Sequence, residues 1–380
     1  MTRLERLLVV SNTDWFVANF MLPFLSAHLA RGVVVVAMTP EGPYREALQK
    51  AGIRWRPLRL SRSAGDPFAT LASLVALRRA YREERPNVIH HATAVPVLLG
   101  TLASTWAGRP PVINVVPGLG HFFTGVTAQN RAARFLLRLG LRWAARQPGA
   151  VIVFQQDADR EQILLNHDSQ LTSHLIPGWG IDLSRFSPRA QPAEAPMVLL
   201  PARMLWTKGV EEFVEAARRC RSVVQARFVL AGAPDPGNPG SIPVSRIREW
   251  ESEGAVEWWG HRSDMPDVLS QASIVVLPTR YGEGVPQSLI EASAMEIPIV
   301  ATDIPGCRQV VEPGVNGILV PPGNPDRLAE ALLRLLKDPA ERRRLGSRGR
   351  SVVARKFGVE TILASYREIY RELGLELPGM

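Results

Sequence analysis

The chain has 380 residues, 46% of them apolar and 21% charged, with a formal net charge of +9. This length gives room for two or three domains with sizeable cores, and the composition excludes a disordered, collagen-like or repeat-built chain. No apolar stretch reaches ~18 residues free of Pro, Gly or charge, so no membrane span is expected.

The opening MTRLERLLVVSNTDW holds only a four-residue apolar run, which reads as a first strand and not as a signal peptide. Short apolar strands are predicted at Leu7–Val10, Val33–Ala37, Ile53–Leu58, Val88–His90, Val112–Val116 and Val151–Phe154. Helices are predicted between them near 19–31, 43–51, 67–84, 94–107, 128–146 and 157–166. Gly32, Gly52 and Gly108 fall just past three of these helices, where a left-handed cap is needed. Strands alternating with helices mean βαβ units and a doubly wound parallel sheet. After Pro177-Gly178-Trp179-Gly180 comes a Pro- and Ala-rich stretch, SPRAQPAEAP, and the pattern restarts. Strands follow at Val198–Leu200, Phe228–Ala231, Val256–Trp258, Ile274–Leu277, Ile299–Ala301 and Gly317–Val320. Helices follow over 324–337, 339–356 and 359–373. The expected organisation is an α/β domain over 1–188, a second over 189–358, and a C-terminal helix over 359–380 that returns to the first. Cys220 and Cys307 stand alone, without metal-ligand spacing, and fit a reducing cytosol.

Chemistry concentrates in LPTRYGEGVPQSLIEASAMEIP, residues 277–298. An apolar strand ends at Pro278, Glu283 lies between two glycines, and Pro286 suits the first turn of a helix that carries Glu291. A strand feeding a Gly-bracketed loop and a helix start is an anion site in an α/β protein, because helix-end N–H groups and the dipole favour negative charge. The same spacing also fits two solvated glutamates on an ordinary strand–helix unit. Upstream, Arg203 and Lys208 follow the first strand of the second domain. A planar fork and a point charge together suit a diphosphate, although a helix-entry loop with two solvated cations fits as well. Cations for phosphates beside carboxylates for hydroxyls match a nucleotide-activated sugar. No GxxxxGK[ST] loop supports phosphoryl transfer from ATP.

RMLWTKGVEEFVEAAR, EWWGHRSDMPDVL, PTRYGEGVPQSLIEASAMEIPIVATDIPGCRQVV and GVNGILVPPGN resemble the donor half of retaining glycosyltransferases of the two-Rossmann GT-B fold, family-four type. More narrowly they resemble bacterial enzymes that add N-acetylgalactosamine or galactose to undecaprenyl-diphosphate-linked sugars. VVPGLGHFFTG and SNTDWFVANFMLP carry the resemblance in the first half. It implies two facing domains with a ligand cleft. It implies that Arg203 and Lys208 bind the donor diphosphate and help the nucleotide leave, that Glu291 contacts the ribose, and that Glu283 reaches sugar hydroxyls. It places Gly284, Val285 and the neighbours of Pro286 around sugar and phosphate, and Arg262 in the Gly260–Asp264 loop that holds the base. Catalysis is assigned to Arg203, Lys208 and Glu283, with no divalent metal and no cofactor. Two departures stand out. Relatives place a His just after the strand that here ends at Val116, where this chain has Pro117-Gly118 and only His121 nearby. Relatives also carry Glu where Gln309 stands. Gly118 and His121 are therefore acceptor-side candidates only.

The first 190 residues hold 22 Lys+Arg and 12 Asp+Glu, a net of +10, while the rest nets −1. Such asymmetry points to a polyanionic partner. Arg131, Arg134, Arg138, Arg142 and Arg146 recur at three- and four-residue steps, with Phe135, Leu136, Leu139 and Trp143 on neighbouring faces. A helix of that kind can lie on an anionic membrane, or present an ordinary solvated face. No zinc finger, helix-turn-helix or aromatic-basic platform supports nucleic acid. The expectation is a glycosyltransferase, peripheral on the cytoplasmic face of a bacterial membrane. It would move a hexose or N-acetylhexosamine from UDP to a polyprenyl-diphosphate glycan. A UDP-sugar 2-epimerase and a silent nucleotide-sugar-binding protein remain alternatives.

Overall fold

The computed structural model describes residues 1–58, 60, 67–118, 128–164, 172–190, 195–280 and 284–379. It divides into two compact units, Met1–Gly180 with Val359–Met380, and Ile181–Gly358. The division falls at Gly180, eight residues before the boundary read from the Pro- and Ala-rich stretch. Ile181 already bonds to Phe357 of the second unit, and Phe186 packs in its core.

In the first unit β1 (Thr2–Arg3) leads to β2 (Arg6–Val10), then a short helical turn α1 (Asp14–Phe16), a π-helical segment (Val17–Met21) and α2 (Leu22–Ala30). There follow β3 (Val34–Thr39), α3 (Arg45–Lys50), β4 (Arg54–Pro57), α4 (Pro67–Glu84), β5 (Val88–Ala92), α5 (Ala94–Thr105) and β6 (Val112–Val116). Next come α6 (Ala128–Ala145), β7 (Ala150–Phe154), α7 (Asp157–Leu164) and β8 (Ser173–Leu175). Seven strands pair in parallel in the order β4-β3-β2-β5-β6-β7-β8. Five-residue runs such as Val112–Val116 are buried throughout, as strands covered by helices on both faces must be. Gly32, Gly52 and Gly108 all have positive φ just past helices. The early helix begins at Asp14, not at 19, because Thr13 caps it by accepting from the Phe16 amide at 3.1 Å.

The second unit runs β9 (Met197–Pro201), a 3₁₀ turn (Trp206–Lys208), α8 (Val210–Arg221), β10 (Arg227–Ala231), α9 (Val244–Ser252), β11 (Glu257–Trp258) and α10 (Met265–Ser270). It continues with β12 (Ile274–Leu277), α11 (Gln287–Ala294), β13 (Ile299–Thr302), α12 (Pro305–Val310), β14 (Gly317–Val320), α13 (Pro325–Lys337) and α14 (Pro339–Phe357). Its six strands are parallel in the order β11-β10-β9-β12-β13-β14. In each sheet the chain reverses its winding beside the first long strand, between β2 and β5 and between β9 and β12. Crevices at such switch points, outside the strands' carboxyl ends, are where open α/β sheets bind ligands.

The last helix, α15 (Val359–Glu372), and β15 (Leu375–Glu376) pack into the first unit. Ile362, Leu363, Tyr366, Ile369 and Tyr370 make one buried face, and β15 pairs with β1. The return depends on Gly180, whose φ is +87° and where a Cβ would lie 2.7 Å from the Val359 Cα.

Candidate active site

The site of the second unit is built on three adjacent strand ends. After β9 the backbone is pinned on one side: Met204 donates to the Ala233 carbonyl at 3.0 Å and Trp206 to that of Gly240 at 3.0 Å. It then makes the 3₁₀ turn Trp206–Lys208 and enters α8 through Gly209 in the left-handed conformation. On its other side the Thr207 carbonyl accepts from the Arg280 amide at 2.9 Å and from the Thr279 hydroxyl at 3.0 Å. The Thr302 hydroxyl donates to the Thr279 carbonyl at 2.6 Å. The ends of β9, β12 and β13 thus form one bonded unit that fixes where Arg203 and Lys208 leave the backbone.

Arg203 is exposed, and its guanidinium pairs with Asp235 at 2.7 Å. Lys208 is half-buried. Arg280 pairs with the buried Glu212 and, at 3.4 Å, with Glu211. Arg280 and Asp235 escaped the sequence reading. Arg280 lies inside the PTRYGEG motif, and its pairing with the glutamates of α8 spans about seventy residues, which no local pattern reports. Asp235 sits in a Pro- and Gly-rich loop after β10, where only its position at a strand end could have marked it.

Pro286 is the N-cap of α11, one position before the first helical residue, and not within the first turn. Its carbonyl accepts from Leu289 at 3.1 Å and Ile290 at 3.3 Å, and no side chain caps this end. Gly284 and Val285 precede it and are half-buried. Glu283 lies outside the described residues. Glu291 stands on α11, half-buried, with its carboxyl raised from 4.5 to about 7. Loss of solvent raises it, and the Gln287 side-chain hydrogen bond and the Arg185 charge partly oppose that. A carboxylate so placed gains from hydroxyl donors that replace lost water.

Arg262 follows β11, two strands from β9, and its fork is engaged by Asp264, with Nε to Oδ1 at 2.8 Å. That pair holds Asp264 down to about 2, and the guanidinium lies 5.5 Å from the Trp259 ring centroid. Among the described residues no group of three His, Cys, Asp or Glu side chains is placed to hold a metal ion.

In the first unit Gly118 is exposed just past β6, and His121 lies outside the described residues. Of the arginine stripe, Arg131 on α6 and Arg146 just past its end are exposed, while Arg134, Arg138 and Arg142 are half-buried. Leu141, Ala144 and Ala145 face the core. The outermost face is apolar: Phe135, Leu136, Leu139 and Trp143 are exposed, Leu136 to 65%. The arginines flank that face and do not crown the helix.

Residues 195–338 match the family model described as glycosyl transferases group 1, and residues 19–166 match a glycosyl transferase 4-like domain. The chain is 28% identical over 346 residues to N,N'-diacetylbacillosaminyl-diphospho-undecaprenol alpha-1,3-N-acetylgalactosaminyltransferase of Campylobacter jejuni, covering 87% of this chain and 89% of that one. It is 22% identical over 282 residues to UDP-Gal:alpha-D-GlcNAc-diphosphoundecaprenol alpha-1,3-galactosyltransferase of Escherichia coli, covering 70% and 71%. Among solved structures, Anabaena HepE in complex with UDP and glucose superposes with a TM-score of 0.78 at 17% identity, over 96% of this chain and 99% of that one.

Proposed function

The chain belongs to the GT-B glycosyltransferases, with a 4-like first domain and a group 1 second domain, and from that premise we propose that it elongates a lipid-linked glycan. The donor is a UDP-hexose or UDP-N-acetylhexosamine bound by the second unit. The acceptor is a polyprenyl-diphosphate-linked sugar in bacterial polysaccharide or glycan assembly, met at the cytoplasmic face of an anionic membrane. The observation that carries this reading is the loop bearing Arg203 and Lys208, locked through Thr207 to the segment entering α11, at the switch point of a sheet. The two relatives whose names specify undecaprenyl-diphosphate acceptors, matched over most of their length, support the acceptor class.

In the proposed reaction the acceptor hydroxyl forms a bond to the anomeric carbon on the face from which the nucleotide departs, so configuration is retained. The bond from that carbon to the diphosphate oxygen breaks. The hydroxyl proton passes to the departing diphosphate. Arg203 and Lys208 stabilise the charge that develops there, so no divalent metal is required. Glu291 holds the ribose hydroxyls, and Glu283, Gly284 and Val285 surround the sugar. Among the described residues no helix is long and apolar enough to cross a membrane, and α6 supplies the surface contact.

The test is nucleotide release from a panel of UDP- and GDP-sugars, with and without detergent-solubilised polyprenyl-diphosphate sugars. Release that requires one lipid, with label entering the lipid fraction, is expected. Release without any acceptor, or binding with no release across the panel, counts against it. A sugar-isomer assay then decides between an epimerase and a silent binder.

A further inference from the structure

We propose that α4 and the end of α5 form, beside α6, a second line of contact with an anionic lipid bilayer, closed by a headgroup pocket at Arg82 and Arg85. This rests on the reading that the enzyme meets its acceptor at a membrane.

Helices α4, α5 and α6 pack side by side as one layer on the first sheet. Among the described residues fourteen large apolar side chains are exposed, and eight of them belong to this layer. Four are the α6 residues named above. The others are Phe68, Leu71 and Val75 on α4, and Trp106 just past α5, with Phe68 83% and Trp106 50% exposed. The helices α2, α3 and α15, which lie elsewhere in the unit, contribute none. Spacings of three and four residues put Phe68, Leu71 and Val75 on one side of α4. Arg78 and Arg82 continue that side toward its C-terminus, and both donate to the Trp106 carbonyl, at 3.1 and 3.4 Å.

The acidic residues of α4 do not offset this charge. Glu84 is buried and pairs with Arg56 at 3.1 Å and Arg54 at 3.6 Å, while Glu83 pairs with Arg56 and Arg79. The stretch from 85 to 146 contains no Asp or Glu at all. Where α4 ends, Tyr81, Arg82, Arg85, Pro86, Ala107 and Pro110 line a cavity of about 470 Å³. The Tyr81 hydroxyl is committed to His91 at 2.9 Å, and the cations of the lining are the Arg85 guanidinium and that of Arg82, one nitrogen of which donates to the Trp106 carbonyl. Such forks match a phosphodiester.

Apolar side chains beside cations are the chemistry of an anionic membrane interface. Nucleic acid would leave Phe68, Leu71 and Val75 in water.

Flotation with phosphatidylcholine vesicles, with and without phosphatidylglycerol, tests the assignment. The triple variant F68S/L71S/V75S should lose about tenfold or more in vesicle partition, even with α6 intact. The variant R82E/R85E should lose only the part that phosphatidylglycerol adds. Native Trp106 is a probe in place: quenching by brominated lipid should fall in Trp106→Phe. If the triple variant does not fold, that comparison decides alone. Wild-type partition in the folded triple variant, or equal quenching with and without Trp106, overturns the proposal. So does concentration-dependent dimerisation abolished by these substitutions without vesicle binding, which would assign the face to a second copy. Flotation requires no turnover, so absent glycosyl transfer with α4-dependent flotation would sink the functional reading and leave this one standing.

Discussion

Gly209 stands so close to Pro278 that a Cβ added to it would lie 2.0 Å from the Pro278 carbonyl oxygen. The two residues lie on separate strand–helix connections, and their approach lets Thr207 bond to Thr279 and Arg280. The backbone there has φ of +71°, which glycine adopts without a steric penalty. Gly209→Ala is expected to cost about 2–5 kcal/mol, from the left-handed conformation and the overpacking together. Urea unfolding measures it; a loss below ~1 kcal/mol would mean that the loops separate freely.

Arg203→Ala and Lys208→Ala should each lower kcat by roughly 10²-fold or more, the scale for removing one preorganised charge stabiliser. Arg203→Lys should recover only part of the loss, because it keeps the charge and not the fork. Asp235→Ala should change stability by less than about 1 kcal/mol, since its pair with Arg203 is largely in solvent. Near-wild-type turnover in Lys208→Ala would remove that residue from the mechanism.

Glu291 gives a pH signature. Its folded-state pKa of about 7 lies above the ordinary 4.5, so between those values the folded protein binds more protons than the unfolded chain. Stability from this group is therefore present at low pH and falls as pH rises from 4.5 to about 7. Glu291→Gln should flatten that slope. If the ionised carboxylate accepts from ribose hydroxyls, UDP binding should release a proton near pH 7. Calorimetry in buffers of different ionisation enthalpy reads this directly, and buffer-independent heats would contradict the ribose role.

The first unit carries the opposite slope. His28 Nδ1 faces the Phe24 carbonyl at 2.8 Å and must donate, which leaves Nε2 to accept from the Tyr370 hydroxyl at 3.0 Å. The Tyr370 oxygen then accepts from His90 Nε2 at 3.1 Å. Burial holds His28 down at about 4 and His90 well below its usual range. Stability should thus be lost as pH falls from 6.5 toward 4, as the unfolded chain takes up protons the folded one refuses.

Two tyrosines of α15 separate bonding from packing in the same cluster. Tyr370→Phe strands both imidazole nitrogens and should cost about 1–3 kcal/mol. The Tyr366 hydroxyl is buried with no hydrogen-bond partner among the described residues, so Tyr366→Phe should be neutral or stabilising. Paired thermal unfolding curves compare them. Equal losses in both would mean that the hydroxyl bridge contributes nothing specific.

Much of the fold was legible because many of its strands are short apolar runs closed by Pro or Gly, and several of its helices end at a glycine of positive φ. Glycines at 32, 52 and 108 marked helix ends by a requirement each position meets alone. The pairs β1–β15 and β7–β8 went unread, since a strand of two or three residues has too few side chains to show alternation. Of the candidate site, the placement of Arg203 and Lys208 after a strand and of Glu291 on the helix after Pro286 was legible. That of Arg280 and Asp235 was not, because their partners are remote in the chain.

The sequence by itself determined where the longer strands and helices lie, that the first half carries the excess positive charge, and which loops follow those strands. Those properties depend on the order of neighbouring residues. Only the tertiary structure decided that Thr207 meets Arg280, that α15 folds back on His28 and His90, and that the arginines of α6 flank an apolar face. Those relations depend on which strands pair and which helices share a layer. Such pairing is settled by packing among residues far apart in the chain, and no local periodicity encodes it.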